Sequence, residues 1–179
     1  ITCDEYGRIS YYRLPQVPNW WFQIEDLSCL QNKHRKQLHQ QRLQDSPDTT
    51  SYTHKRNAKR ITAGNIEDNL DLIADCDWII EAVIERLDIK QQVFGDLEEI
   101  CGENTILASN TSSISLTAIG AKLKRPQNLV GMHFFNPAPI MKLVEVISGL
   151  DTDPAVADAI YQLSANWGKK PVHAKSTPG

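Results

Sequence analysis

Four short apolar runs, separated by helical or turn-forming segments, constrain the fold of this chain most. They are DWIIEAV at 77–83, TILAS at 105–109, LVGMHF at 129–134 and LVEVIS at 143–148. Apolar runs of this length are typical of strands buried on both faces of a sheet. Because helical spacing follows over 85–100, and Asp153 with Pro154 predicts a further helix start, strands and helices alternate. We therefore predict an α/β, Rossmann-like fold with a mostly parallel sheet and flanking helices.

Two further elements complete the predicted pattern, a shorter helix over 113–123 and a last strand, KPVHAK, at 170–175. The two longer helices each carry one apolar face, formed by Ile89, Val93, Leu97 and Ile100 in one and by Val156, Ile160, Leu163 and Trp167 in the other. Ligands of such sheets bind outside the carboxyl ends of the strands. The loops after the first three apolar runs are therefore the expected site.

The first sixty residues differ in composition from the rest. They hold ten Lys and Arg against six Asp and Glu, whereas residues 61–179 hold nine against sixteen. Only Gly7 of the nine glycines precedes Gly64. The apolar residues of this segment show no clear helical or strand periodicity. We therefore expect at most a polar helix over 30–44 and loop or disorder over 45–57. We predict that 1–60 is an atypical, disordered or non-native segment, and that the chain divides near Arg60.

Composition also excludes several classes of protein. No apolar run approaches eighteen residues, and no signal peptide is visible, so we expect no membrane partner and a cytoplasmic protein. The basic excess of the first sixty residues is too dilute for a nucleic-acid surface. The four cysteines lack metal-ligand spacing. We expect no metal, and we predict that Cys76 and Cys101 are buried reduced thiols.

The segment SNTSS at 109–113 places five small polar residues between a predicted strand and a predicted helix. One interpretation is a helix cap, because such side chains satisfy free N–H groups at a helix start. The other is a site where Asn110, Ser112 and neighbouring hydroxyls meet a polar ligand. The residues alone leave both open.

The segment GMHFFNPAPIMKLVEV at 131–146 is the densest in potential chemistry. His133 ends one apolar run, and Glu145 lies inside the next, where an unpaired charge is costly. A glutamate that accepts one imidazole N–H fixes the tautomer and leaves the other nitrogen for proton transfer. The alternative is a structural histidine and a glutamate at a sheet edge facing water.

The segment EAVIERLDIK at 81–90 carries Glu81, Glu85 and Lys90 around a strand-to-helix turn. The simple interpretation is that the acids complement the helix dipole and that Lys90 lies on a solvated face. The functional interpretation is a polar contact with a ligand at the carboxyl end of the strand.

Taken together, SNTSS, GMHFFNPAPIMKLVEV and the STPG ending resemble the 3-hydroxyacyl-CoA dehydrogenase family in order and spacing. The tail NWGKKPVHAKSTPG is most similar to the bacterial branch that acts on 3-hydroxyadipyl-CoA or 3-hydroxybutyryl-CoA. The resemblance covers about Ile61 to Gly179, and it implies that 61–179 is the second half of the family's NAD-binding domain. It implies oxidation of an acyl-CoA substrate at its 3-hydroxyl, with NAD as cofactor, in fatty acid or aromatic acid catabolism.

The resemblance also implies roles for individual residues. His133 would be the base, Glu145 would orient it, Ser112 would contact the substrate oxygen and the cofactor, and Asn136 would position substrate and cofactor. Glu85, Lys90 and Asn110 would contact NAD.

Two features of the family are not found. The G-x-G-x-x-G turn that cradles the pyrophosphate is absent from residues 1–60. The family also continues into a helical domain that forms a homodimer, and we expect that domain to be absent here. A shifted reading frame before Arg60 would explain the first difference. The sequence therefore leaves open a working dehydrogenase and a non-catalytic protein that keeps an acyl-CoA or interaction surface.

Overall fold

The computed structural model describes residues 8–12, 21–25, 61–64, 69–136, 138 and 140–176. Its strands are β1 (Arg8–Tyr12), β2 (Trp21–Glu25), β3 (Ile61–Gly64), β4 (Trp78–Ala82), β5 (Ile106–Ser109), β6 (Leu129–Phe134), β7 (Leu143–Ser148) and β8 (Lys170–Lys175). Its α-helices are α1 (Leu87–Ile100), α2 (Leu116–Gly120) and α3 (Pro154–Asn166), with 3-10 turns at Leu70–Ile73 and Pro126–Asn128. Gly7 and the segments expected to be a polar helix and a loop, 30–44 and 45–57, lie outside the described residues.

All eight strands form one sheet in the order β3-β2-β1-β4-β5-β6-β7-β8. Strands β4, β5 and β6 run parallel, and β7 and β8 run parallel to each other but antiparallel to β6. Strand β2 is parallel to β3, whereas β1 is antiparallel to both β2 and β4. Four of the seven ladders are parallel, and helices flank the sheet. The predicted α/β, Rossmann-like class is confirmed.

The strands predicted after residue 76 are confirmed to within one residue at either end. The helix predicted from 85 begins at Leu87 instead, and the helix predicted over 113–123 is shortened to α2. Helix α3 starts as predicted, with Pro154 in its first turn and the Asp153 carboxylate accepting from the Ala155 N–H at 2.8 Å. Strands β1, β2 and β3 were not predicted, because their sequences lack a clear alternation of apolar and polar residues between the two faces of a strand.

The core lies on both faces of the sheet. Helix α1 covers one face through Val93 and Leu97, with Ile89 and Ile100 partly buried against them, as the helical spacing predicted. Helix α3 covers the other face through Ile160, with Val156, Leu163 and Trp167 packed alongside. All five residues of β4 are buried, which confirms a strand enclosed on both faces. No helix among the described residues is long and apolar enough to cross a membrane.

Two of the four cysteines lie in the described part of the chain, and both behave as predicted. Cys76 and Cys101 are buried thiols in the core beneath α1. Burial, together with the proximity of Cys76, raises the pKa of the Cys101 thiol to about 12. Because the thiolate is the reactive form, Cys101 is chemically inert at neutral pH.

Gly131 on β6 is required by close packing between the sheet and α2. A Cβ atom at this position would lie 2.7 Å from Ile147 Cβ and 3.0 Å from Leu116 Cδ1. We expect Gly131→Ala to lower the free energy of unfolding by about 1–3 kcal/mol, measured by urea denaturation. Gly95→Ala is the matched control, because no atom lies within 4 Å of a Cβ at that helical position. It should stabilise by about 0.5–1 kcal/mol, and equal effects of the two changes would contradict the packing argument.

Candidate active site

The predicted site residues meet at one edge of the sheet. Parallel β4, β5 and β6 end there, and antiparallel β7 and β8 begin there. Glu85 follows β4, Asn110 and Ser112 follow β5, and His133 lies one residue before the end of β6. Strand topology therefore brings together residues from three loops, as expected for ligand sites in open α/β sheets.

His133 and Glu145 form a hydrogen-bonded pair across the antiparallel β6–β7 ladder. The two residues are direct partners in the register, which places their side chains on the same face. His133 Nδ1 lies 2.7 Å from Glu145 Oε2. An ionised carboxylate only accepts, so the neutral imidazole donates through Nδ1–H and leaves Nε2 as an acceptor. The predicted pairing of His133 with Glu145 is observed, and it leaves Nε2 with a lone pair that can accept a proton.

The surroundings of His133 hold its ring and join it to the neighbouring loop. The Phe135 ring lies 4.8 Å from the imidazole, tilted by 53°. Asn110 Oδ1 accepts from the Phe134 N–H at 2.9 Å, which connects the end of β5 to the end of β6. Asn136 is exposed on the loop after β6, and within the described residues it makes no hydrogen bond to His133 or Glu145.

Glu85 organises the small polar residues after β5. Its Oε1 accepts from Thr111 Oγ1, from the Ser112 N–H at 3.1 Å, and from the N–H and Oγ of Ser113, both at 3.1 Å. The SNTSS cluster therefore surrounds an internal carboxylate, and Ser115 is the residue that caps α2, accepting from the Ala118 N–H at 3.4 Å. Ser113 is not the cap of α2, because Ser115 takes that position. Within the cluster, Thr111 Oγ1 makes a contact of the capping type by accepting from the Ile114 N–H at 3.0 Å.

Lys90 lies beneath this cluster and is 1% exposed, so its predicted solvated position is wrong. Its Nζ donates to Glu81 Oε1 at 2.7 Å and to the Val83 carbonyl at 3.2 Å, and lies 3.3 Å from Glu85 Oε2. Glu81 is 0% exposed and also accepts from the Val83 N–H and from Ser109 Oγ. Glu81 thus does not serve a helix dipole; it is the buried partner of Lys90. Glu85, with its side chain one-third exposed, separates that pair from solvent.

Charge and hydrogen bonding hold Glu85 ionised. Burial opposes its charge, but the Thr111 hydroxyl, the Lys90 ammonium and the Ser113 N–H together outweigh burial and lower its pKa from 4.5 to about 2. For Glu81 the balance is reversed, because complete burial raises its pKa despite the Lys90 charge.

The lowered pKa of Glu85 predicts a pH dependence of stability. A carboxylate whose pKa falls on folding stabilises the fold above its unfolded pKa, and that contribution is lost as pH falls toward the folded value. We expect the difference in unfolding free energy between the unmodified chain and Glu85→Gln to be constant above about pH 5 and to shrink between 4.5 and about 2. Urea denaturation across that range measures it, and a difference that persists unchanged at pH 2.5 would contradict the assignment.

Sequence reasoning missed Glu81, Thr111 and Ser113 as parts of this network. Glu81 lies inside the apolar run of β4, as Glu145 lies inside that of β7. The cost of an unpaired buried charge, which identified a partner for Glu145, applies equally to Glu81 and could have identified Lys90. Nothing in the sequence distinguishes Thr111 and Ser113 from ordinary capping residues.

Comparison with known proteins identifies the family. A family model described as "3-hydroxyacyl-CoA dehydrogenase, NAD binding domain" matches residues 22–177. The chain belongs to the 3-hydroxyacyl-CoA dehydrogenase family. The resemblance noted in the sequence is thereby confirmed, and the matched domain is the NAD-binding domain of that family.

Individual members of the family agree with this assignment. The chain is 47% identical over 130 residues to a 3-hydroxyadipyl-CoA dehydrogenase of Escherichia coli K12, covering 73% of this chain and 27% of the relative. It is 50% identical over 111 residues to a 3-hydroxybutyryl-CoA dehydrogenase of Clostridioides difficile, covering 62% and 40%. The crystal structure of a 3-hydroxybutyryl-CoA dehydrogenase from E. coli superposes with a TM-score of 0.69 at 41% identity, covering 82% of this chain and 31% of that one. The chain thus spans less than half the length of these relatives.

Proposed function

We propose that this chain forms the cofactor-binding and proton-transfer part of an NAD-dependent dehydrogenase that oxidises (S)-3-hydroxyacyl-CoA to 3-oxoacyl-CoA. The observation that carries the proposal is the His133–Glu145 pair, 2.7 Å apart at the sheet edge that also carries Glu85. The family match and the names of the relatives support the reaction class. They also favour a short or dicarboxylic acyl chain, in fatty acid or aromatic acid catabolism.

The proton transfer follows from the geometry of the pair. In the proposed reaction His133 Nε2 accepts the proton of the substrate 3-hydroxyl, while the bond from C3 to that oxygen becomes a carbonyl. The imidazolium that forms is stabilised by Glu145, whose carboxylate already accepts from Nδ1–H. We assign Ser112, exposed at the start of its loop, to donate to the substrate oxygen, and Asn136 to position the substrate from the loop after β6.

The described residues fit the ribose and nicotinamide end of NAD. Glu85 Oε1 is occupied by four donors, whereas Oε2 lies 3.3 Å from Lys90 Nζ. Because the side chain is one-third exposed, we assign the remaining lone pair of Oε2 to accept from a ribose hydroxyl. Lys90 is buried, so we assign it an indirect role, in which its ammonium positions the Glu85 carboxylate for the cofactor. Asn110 lies at the same edge of the sheet. NAD, when bound, takes the hydride that leaves C3 of the substrate.

A second candidate is a non-catalytic protein that retains an acyl-CoA-binding or interaction surface. It is favoured by the lack of a glycine-rich phosphate turn in residues 1–60 and by the direction of β1. Strand β1 pairs antiparallel with β4, with Tyr12 opposite Trp78, so its carboxyl end lies at the edge away from Glu85. In a dinucleotide-binding fold the phosphate turn follows the first strand at the same edge as the rest of the site.

Titration with NAD distinguishes the two candidates. The proposed dehydrogenase should bind NAD, measured by calorimetry with the full chain, and should form NADH when 3-hydroxybutyryl-CoA is added. Glu85→Ala should weaken NAD binding, whereas Glu99→Ala on the exposed face of α1 should not. Absence of heat at millimolar NAD would reject this chain as a working dehydrogenase and support the second candidate.

A further inference from the structure

Lys169 lies at the same sheet edge as the site, although no sequence motif drew attention to it. Helix α3 ends in a motif in which the Gly168 N–H donates to the Ala165 carbonyl at 2.9 Å and the Lys169 N–H donates to the Ser164 carbonyl at 3.2 Å. Gly168 has a φ of 76°, a left-handed conformation that favours glycine. This turn reverses the chain into β8, which begins at the carboxyl edge of β6.

The ammonium of Lys169 binds the loop that connects β6 to β7, residues 135–142. Its Nζ donates to the Ala138 carbonyl and, at 2.9 Å, to the Met141 carbonyl. The loop is also held at its start by Asn110 Oδ1 on the Phe134 N–H, and at its end by the Lys170 N–H on the Lys142 carbonyl at 2.7 Å. Lys169 therefore supplies the contact in the middle of the loop, between two anchors near its ends.

This loop carries groups suited to an acyl-CoA. It continues directly from His133 and contains the exposed Asn136, and it also exposes Ile140 by 66% and Met141 by 39%. Large apolar side chains exposed next to a general base are suited to the apolar part of a substrate. Partial burial lowers the pKa of Lys169, and carbonyl oxygens are the partners found for its Nζ in the described structure. Among the residues that the structure describes, Lys169 forms no ion pair, so its ammonium is held by these two hydrogen bonds.

We propose that Lys169 is a positioning residue for acyl-CoA binding: its ammonium fixes the 135–142 loop so that Asn136, Ile140 and Met141 face the substrate of His133. The substrate part of this inference rests on the proposed function. The mechanical part, that Lys169 orders the loop, stands without it. The two parts are therefore tested by different measurements on the same variants.

Hydrogen exchange of the full chain tests the ordering of the loop. Lys169→Met keeps the aliphatic stem and removes the donors, so peptides covering 135–142 should exchange about tenfold faster or more, while peptides of α1 stay unchanged. Lys169→Arg should restore most of the protection, because its guanidinium also donates to carbonyls. Lys170→Met, at the neighbouring exposed position, is the matched control and should leave the loop unchanged. Unchanged exchange in Lys169→Met would overturn the inference whether or not the chain is active.

Steady-state kinetics test the substrate part. In Lys169→Met we expect the KM for 3-hydroxybutyryl-CoA to rise about tenfold or more, with a smaller loss of kcat and an unchanged Kd for NAD. Lys169→Arg should recover most of the loss. If KM stays constant while the loop loosens, the role in substrate binding is wrong. If NAD binding weakens as much as substrate binding, Lys169 has only a general structural role. An unmodified chain that forms no NADH would count against the proposed function, and the exchange result would still decide the role of Lys169.

Discussion

Replacing His133 by glutamine should lower the kcat for oxidation of 3-hydroxybutyryl-CoA by about 10²–10⁴-fold, which is the usual contribution of a general base. The glutamine side chain fills a similar volume and still donates toward Glu145, but it takes up no proton at neutral pH. The Kd for NAD should change little, because the proposed cofactor contacts at Glu85 come from a different loop. Initial rates of NADH formation and a calorimetric NAD titration measure the two effects separately.

Two further variants make the His133 experiment specific. Glu145→Gln keeps a hydrogen-bond acceptor for Nδ1–H but removes the charge that stabilises the imidazolium, so it should lose activity to a smaller extent than His133→Gln. His173→Gln is the matched control, because His173 is half-exposed and stacks on Tyr161 of α3 at 4.6 Å, away from His133 in the sheet register. A His133→Gln variant that keeps more than a tenth of the activity would exclude His133 as the base.

Removing the buried ammonium of Lys90 should give the largest loss of stability. Lys90→Met leaves the carboxylate of Glu81 fully buried without its cation, and breaking a buried ion pair in this way costs about 3–5 kcal/mol. The double variant Glu81→Gln with Lys90→Met should recover most of that loss, since an amide oxygen still accepts from the Val83 N–H and no fully buried charge is left unpaired. Glu85 also loses its contact with Lys90 in both variants, but its side chain is one-third exposed and keeps its donors from residues 111–113. Urea denaturation of the four proteins at pH 7 gives the coupling energy.

A surface ion pair provides the control for the Lys90 result. Lys124 pairs with Glu99, and the two side chains are 72% and 64% exposed. Lys124→Met should change the unfolding free energy by no more than about 1 kcal/mol, because solvent screens exposed pairs. If Lys90→Met and Lys124→Met lowered the free energy of unfolding by similar amounts, burial of the Glu81–Lys90 pair would not explain its contribution to stability.

Most of the fold after residue 76 was predictable, because its elements obey simple periodicities. Strand β4 is apolar throughout and is buried throughout, and α3 begins where Asp153 and Pro154 predict. Helix α2 is shorter than predicted at both ends; at its start Ser115 is the N-cap, while Ser113 donates to Glu85 in the preceding loop. This contact joins residues that are 28 apart in sequence, so hydrophobic periodicity and capping signals within one element cannot predict it. The same holds for β1, whose place between β2 and β4 depends on pairing with distant strands.

The site was predictable where a charged residue inside an apolar run implied a partner. Glu145 inside an apolar strand predicted the contact with His133, and the antiparallel register supplies it. The residues around Glu85 were less predictable, because Thr111 and Ser113 are of types that also cap helices. Lys169 was not predictable at all, since its role depends on a turn that brings the end of α3 to a loop about thirty residues earlier.

The antiparallel pairing of β6 and β7 determines how far apart in sequence the residues of the His133–Glu145 pair lie. Because β7 returns beside β6, His133 and Glu145 are only twelve residues apart and belong to one hairpin of twenty residues, Leu129 to Ser148. Closing this short hairpin costs less conformational entropy than joining the segments of the Glu85 cluster, which are about twenty-seven residues apart. The proposed proton-transfer pair therefore depends on local structure alone, whereas the proposed cofactor contacts depend on assembly of the wider sheet.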